Sequence, residues 1–218
     1  MSVSCGIKNY KALMKQLENK KKAPEKVLKA LTADAKKRAP GWVAAEVSKV
    51  YGVKKAEISG GELGSVNVTG KTLKDVKITY TGRTLTPTHF GMTPKTPGQN
   101  AYTLKAQIIK GQKATLGKVK KLTKKQRAAL GKNFTRSGTQ NSTSSPIMLM
   151  HTGNTQAGGT NYIPFQRQSV RRDDIKPIKT ISLPQMVSSE RTKDNIQQAI
   201  NEGLQKRLEH HMKRFGLE

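Results

Sequence analysis

The chain has 218 residues, 41 of them Lys or Arg and 14 Asp or Glu, for a formal net charge of +27. That lies far beyond the roughly 2 to 8 units of an ordinary small domain, so a standing repulsion must be tolerated or neutralised, and a polyanion or an acidic protein partner would neutralise it. An apolar content of 34% allows one large or two small domains with a modest core and long surface segments, and a single cysteine excludes an internal disulfide or a cysteine-rich metal site.

Residues 7–19 predict a short helix carrying Leu13, Met14 and Leu17, preceded by a mobile terminus on which Cys5 is an incidental thiol. After Lys20, Lys21 and Lys22, Pro24 sits well in the first turn of a second helix, with Val27, Leu28, Leu31 and Ala35 at helical spacing through about Lys37. Pro40 and Gly41 then punctuate the chain. Trp42 to Tyr51 makes a further apolar stripe with Val43, Val47 and Val50, and Gly52 suits the position just past a helix end.

From Leu63 the period becomes two. Val66 and Val68, then Val76, Ile78 and Tyr80, alternate with polar residues as in half-buried strands. Residues 81–100, with Gly82, Pro87, Gly91, Pro94, Pro97 and Gly98, predict an exposed connection, and alternation resumes over 101–109. Thr123 and Gln126 have capping-box spacing ahead of Ala128, Ala129 and Leu130. Polar loops over 136–145 and 152–161 flank short strands at Ile147 to Met150 and Tyr162 to Phe165, in the manner of hairpin tips.

Ile196, Ile200, Leu204, Leu208 and Met212 recur every four residues, with Phe215 close to the same stripe, and predict a long C-terminal amphipathic helix. The fold expected is α+β: a small antiparallel or mixed sheet, or a barrel-like core, flanked by N-terminal helices and the C-terminal helix, with extended loops. It reads as one domain, 1–218, with a helical part over 1–61, a basic β-rich part over 62–183 and the helix over 184–218.

Charge is unevenly spread. Between Asp75 and Asp173 lie 97 residues with 17 basic side chains and no acidic one, whereas residues 186–218 hold six basic and five acidic residues. Lys113, Lys118, Lys120, Lys121, Lys124, Lys125, Arg127, Lys132 and Arg136 are the candidates for polyanion contact. Phosphate pairing, an acidic protein partner and a solvated face all remain open for them. No aromatic residue interleaves the cluster Lys118 to Arg127, and no zinc-finger or RNA-binding signature is present, so any DNA contact is with the charged backbone. Val43, Val47, Ile196, Ile200, Leu204 and Leu208 are the candidates for helix packing.

Catalysis is poorly supplied, because a carboxylate site in the central sheet has to import its acids from the ends of the chain. His210 and His211 point about 100° apart on one helix and lack zinc-protease spacing, so they read as solvated or contact-forming residues. Asp173 and Asp174 read as a turn paired with Arg171 and Arg172. Gly60–Gly61 and Gly158–Gly159 lack phosphate-loop spacing. Neither an enzyme, a cofactor nor a metal is expected. No apolar run reaches the roughly 20 residues of a membrane span and no apolar signal core is present, which predicts no membrane partner and a cytoplasm-like compartment.

Two stretches carry a family resemblance. Lys37 to Val47 (KRAPGWVAAEV) with Tyr51 to Ile58 (YGVKKAEI), and Pro177 to Val187 (PIKTISLPQMV) leading into the last helix, resemble the minor tail protein Z family of tailed bacteriophages and prophages. Gly82 to Leu85 and Phe90–Gly91 fall in the same order between them, while residues 112–145 and 152–161 are enlarged relative to the family pattern. The resemblance implies a tail completion protein at the head-proximal tail end or neck, present in the virion and in the host cytoplasm during assembly. It also implies ring formation with itself, neighbours among the tail terminator or tube and the head connector, contact with packaged double-stranded DNA, and no catalysis. The alternative reading is a nonspecific nucleic-acid-binding protein of the nucleoid or ribosome.

Overall fold

The computed structural model describes residues 1–18, 24–97, 101–119, 147–152, 162–168 and 174–216. The fold is α+β, with all strand pairing antiparallel. The strands form three small sheets, and no closed barrel occurs among the described residues. The chain divides into two compact units: Met1–Thr84 with Ile181–Glu218, and Leu85–Thr180 inserted between them. The first unit therefore takes strands 65–69 and 77–81 into the helical body, although the sequence groups them with the basic β-rich part.

In the first unit, strand β1 (Ser2–Gly6) precedes helix α1 (Tyr10–Glu18), so the terminus expected to be mobile is instead the edge of a sheet. Helix α2 runs unbroken from Pro24 to Val50, where the sequence predicts two helices separated at Pro40 and Gly41. Proline removes one helical N–H and crowds the carbonyl four residues back, at a cost of about 3 kcal/mol. Here the apolar row wins: Val27, Leu31, Ala35, Ala39, Val43 and Val47 are all essentially inaccessible on both sides of Pro40. Each fully buried Val or Leu contributes about 1.5–3 kcal/mol.

A short helix, α3 (Lys55–Ser59), leads to strands β2 (Ser65–Thr69) and β3 (Lys77–Thr81), and the sheet order is β1-β3-β2. After the inserted unit the chain returns through helices α4 (Leu183–Ser188) and α5 (Glu190–Arg214). Ser182 and Gln185 form a capping box: the Ser182 N–H donates to Gln185 Oε1 at 2.8 Å, and the Gln185 N–H donates to Ser182 Oγ at 3.4 Å. The Thr192 hydroxyl donates to the Met186 carbonyl and so fastens α5 to α4.

Helix α5 lies along α2. Ile196, Ile200, Leu204 and Leu208 are buried on α5, as are Val43 and Val47 on α2. Both helices thus present rows at strict four-residue spacing, which incline across a helix surface by about 26°. The helices approach closely at Gly203, where an added Cβ would lie 2.7 Å from the Trp42 ring.

The second unit begins with a 3₁₀ turn, Pro87–Phe90, and a hairpin of strands β4 (Tyr102–Ile109) and β5 (Gln112–Val119). Strands β6 (Ile147–His151), β7 (Tyr162–Arg167) and β8 (Ile175–Pro177) form its other sheet. Met92, Leu104 and Ile147 make its core, with Leu116, Val119, Leu149 and Ile178 packed around them. The segment 81–100 is therefore more than an exposed connection, because Leu85, Phe90 and Met92 are buried. Residues 112–119, the start of the stretch that is enlarged relative to the family pattern, form a full strand. The predicted helix around Ala128 to Leu130 and the loops over 136–145 and 153–161 lie outside the described residues. No helix among those described is long and apolar enough to cross a membrane.

Two glycines in the helical pair predict opposite outcomes for one substitution. Gly41→Ala meets nothing within 4 Å and should raise stability by about 0.5–1 kcal/mol through helix propensity. Gly203→Ala drives a methyl into the Trp42 ring, and overpacking of about 1–3 kcal/mol should outweigh the same propensity gain. Urea unfolding midpoints of the two variants, measured beside the parent, check both signs.

Candidate polyanion interface

The β4–β5 hairpin orders residues 102–119 of the acid-free span. Leu104 and Ala106 face the core of the second unit, and the period of two turns Thr103 and Lys105 to the other side. Lys118 is paired with Thr103, which puts it on that same outer face, and Lys113 joins it by alternation from Ala114, the partner of Ala106. A bulge at Leu116 and Gly117 resets the register between Leu104 and Lys105. Gly117 has φ +153°, and a Cβ there would collide with Ile147, so the bulge requires glycine.

Lys105, Lys113 and Lys118 are exposed, and none pairs with a carboxylate among the described residues. Lys110 stands at the hairpin tip between the two strands, and Lys95, Lys176 and Lys179 add further exposed charge to the unit. Over its full sequence, the unit carries 17 basic and two acidic residues within Leu85–Thr180. Such an arrangement attracts phosphates or carboxylates without the directional donors that base reading needs.

Of the nine basic candidates, Lys113 and Lys118 are thus on one face. Lys120, Lys121, Lys124, Lys125, Arg127, Lys132 and Arg136 lie outside the described residues. Lys105 was missing from the candidate set; its signal was present in the sequence, since it is the outward member of the alternation Leu104, Lys105, Ala106.

The first unit treats charge differently. Asp34 of α2 accepts hydrogen bonds from Arg207 Nε, from His211 Nε2 at 2.9 Å and from Arg38 Nε at 3.3 Å. An ionised carboxylate only accepts, so Nε2 of His211 carries the proton in this pairing. His211 is buried, and its Nδ1 has no partner among the described residues, whereas His210 beside it is exposed. Burial acts to raise the Asp34 pKa, but the bonds from Arg207, His211 and Arg38 outweigh it and hold the carboxyl below its usual range. The charge of Arg207 is the main cause that lowers the His210 pKa. His211 therefore takes the contact-forming role, and its acidic partner 177 positions away left no local mark in the sequence.

Cys5 is half-buried, and burial raises its thiol pKa against a smaller opposing effect of Lys8. No group of three or more His, Cys, Asp or Glu is placed to hold a metal ion among the described residues. No family model, no curated protein and no solved structure matches the chain.

Two outcomes follow from these charges. Changing Lys105, Lys113 and Lys118 together to Gln should weaken binding to duplex DNA equally for unrelated sequences. It should also reduce the slope of log affinity against log salt by up to about 2.7, at roughly 0.9 per phosphate contact; fluorescence anisotropy from low to moderate salt measures both. For Asp34, a pKa lowered by folding contributes stability above the unfolded carboxyl value, near 3.9, and that contribution is lost as pH falls through the folded value. Asp34→Asn should therefore be less stable at neutral pH and show a shallower loss of stability below about pH 4, read from urea midpoints across pH.

Proposed function

We propose that this chain is a structural tail-completion protein of a tailed phage or prophage. It acts at the head-proximal end of the tail or in the neck, where it assists head–tail joining and the positioning of DNA. The observation that carries this reading is the outer face of the β4–β5 hairpin, where Lys105, Lys113 and Lys118 are exposed without a carboxylate partner among the described residues. Such a face suits a polyanionic surface, and several copies arranged around a channel would add their fields into a basic collar.

The segment Pro177 to Val187, which carries part of the family resemblance, leads the chain back into the first unit. Ser182 and Gln185 within it form the capping box that starts α4, and Leu183, Pro184, Met186 and Val187 are buried. The neighbours implied are further copies of the chain, the tail terminator or tube, the head connector, and packaged duplex DNA.

The same lysine face also favours nonspecific nucleic-acid binding in the nucleoid or on the ribosome. The two readings part in the particle. Phage made without this chain should accumulate unjoined heads and tails in electron micrographs and lose infectivity, and the parent chain supplied in trans should restore both. Joined, infectious particles at normal yield without it would sink the tail reading and leave nonspecific binding in its place.

A further inference from the structure

The sheet of the first unit ends on β1, whose pairing with β3 fixes which way its backbone groups point. Gly82 N–H donates to the Met1 carbonyl at 3.3 Å, so the opposed residues Met1 and Gly82 form a hydrogen-bonded pair. In an antiparallel ladder such pairs alternate with non-bonded ones. With Val3 opposite Tyr80 and Cys5 opposite Ile78, the bonded pairs use residues 1, 3 and 5. The N–H and C=O groups of Ser2, Ser4 and Gly6 therefore point away from β3, toward an edge that no strand among the described residues covers.

That edge borders a groove of about 420 Å³, with Ser4, Cys5 and Gly6 on one side and α5 on the other. Two features of it bear on what fits there. The charges lining it balance, Lys8 and Lys193 against Asp194 and Glu202, in a chain whose net charge is +27. It is thus a place where a second highly basic chain meets little repulsion. The strand itself, Ser-Val-Ser-Cys-Gly, is uncharged and carries neither the lysine nor the proline that commonly guards a free edge.

We infer that β1 is a self-association edge, pairing antiparallel with β1 of a second copy about a two-fold axis at Ser4. In that register Ser4 faces Ser4 of the second copy and Ser2 faces Gly6, so every outward backbone group on both strands is matched. Val3 then stands opposite Cys5 of the second copy, on the same face as both already occupy in their own sheets. Isologous pairing of this kind requires one segment to complement itself, which this register satisfies. The inference rests on strand geometry and is independent of the tail reading.

The register has a specific chemical readout. Val3 and Cys5 of the second copy form a non-hydrogen-bonded pair, with Cα atoms about 4.5 Å apart, inside the range that a disulfide spans. The Cα atoms of the two Cys5 residues, offset by two residues along the strands, are about 8 Å apart, outside that range. A variant carrying Val3→Cys and Cys5→Ser, mixed with the parent chain and oxidised with copper–phenanthroline and oxygen, should give a cross-linked heterodimer on non-reducing gels. Either protein alone should give at least tenfold less.

Ser4→Pro removes an outward N–H that the β1–β3 ladder does not use, so it should shift the sedimenting species from dimer to monomer with an unchanged far-ultraviolet spectrum. The cross-link reads the same register without relying on that variant to fold. No heterodimer band, equal bands from the separate proteins, or a parent chain that sediments as a monomer up to 100 μM, taken as roughly a practical upper concentration for weak dimers, overturns the inference.

Discussion

The mutual burial of α2 and α5 is the constraint on which the rest of the first unit hangs. The two helices come from opposite ends of the chain and present rows of apolar residues at four-residue spacing. Closing that interface brings residue 34 to residues 207 and 211, so a carboxylate and two nitrogen donors meet only because the rows have already packed. The order of causes matters: hydrophobic area supplies the free energy, while the Asp34 group fixes how the helices sit along one another. A charged cluster assembled without the rows would gain little, since exposed ion pairs contribute on the order of 0 to 1 kcal/mol.

The same closure makes the insertion possible. The first unit contains the chain up to Thr84 and again from Ile181, and Thr84 bridges Ser182 across the gap. Within the second unit, Thr180 donates from its backbone and its hydroxyl to the Leu85 carbonyl, at 2.7 and 2.9 Å, so the two ends of the insertion are tied together. An inserted unit with its ends held side by side adds little loop entropy to the body that carries it. Charge follows this division. The insertion holds 17 basic and two acidic residues in 96, whereas the body holds 24 and 12 in 122. The body can therefore neutralise charge locally, as at Asp34, whereas the insertion has only two carboxylates to set against 17 basic side chains.

Much of this was legible in the sequence wherever one face of an element is buried. The row Ile196, Ile200, Leu204, Leu208 and the alternation Val76, Ile78, Tyr80 announce their elements because burial imposes the period. Pro40 misled for a related reason: a local rule about proline was overridden by a row that extends well beyond it on both sides. Strand β1 left almost no signal, since Ser-Val-Ser-Cys-Gly is short and only half-buried. At the basic face, excess charge was visible from composition, but which lysines share a side depends on the bulge at Gly117, and a bulge is a property of two strands together.

The bulge also shows why the lysine face can stay free of folding duties. Gly117 lets Leu116 turn into the core beside Met92 and Ile147 while Lys118 returns to the outer side. The inner side of the hairpin is thus tied to packing, and the outer side carries charge that folding does not need. Repulsion among Lys105, Lys113 and Lys118 weakens the isolated unit slightly, and a polyanion that relieves it stabilises the bound form over the free one. Polyanion contact of the kind proposed would couple binding to stability through those three side chains.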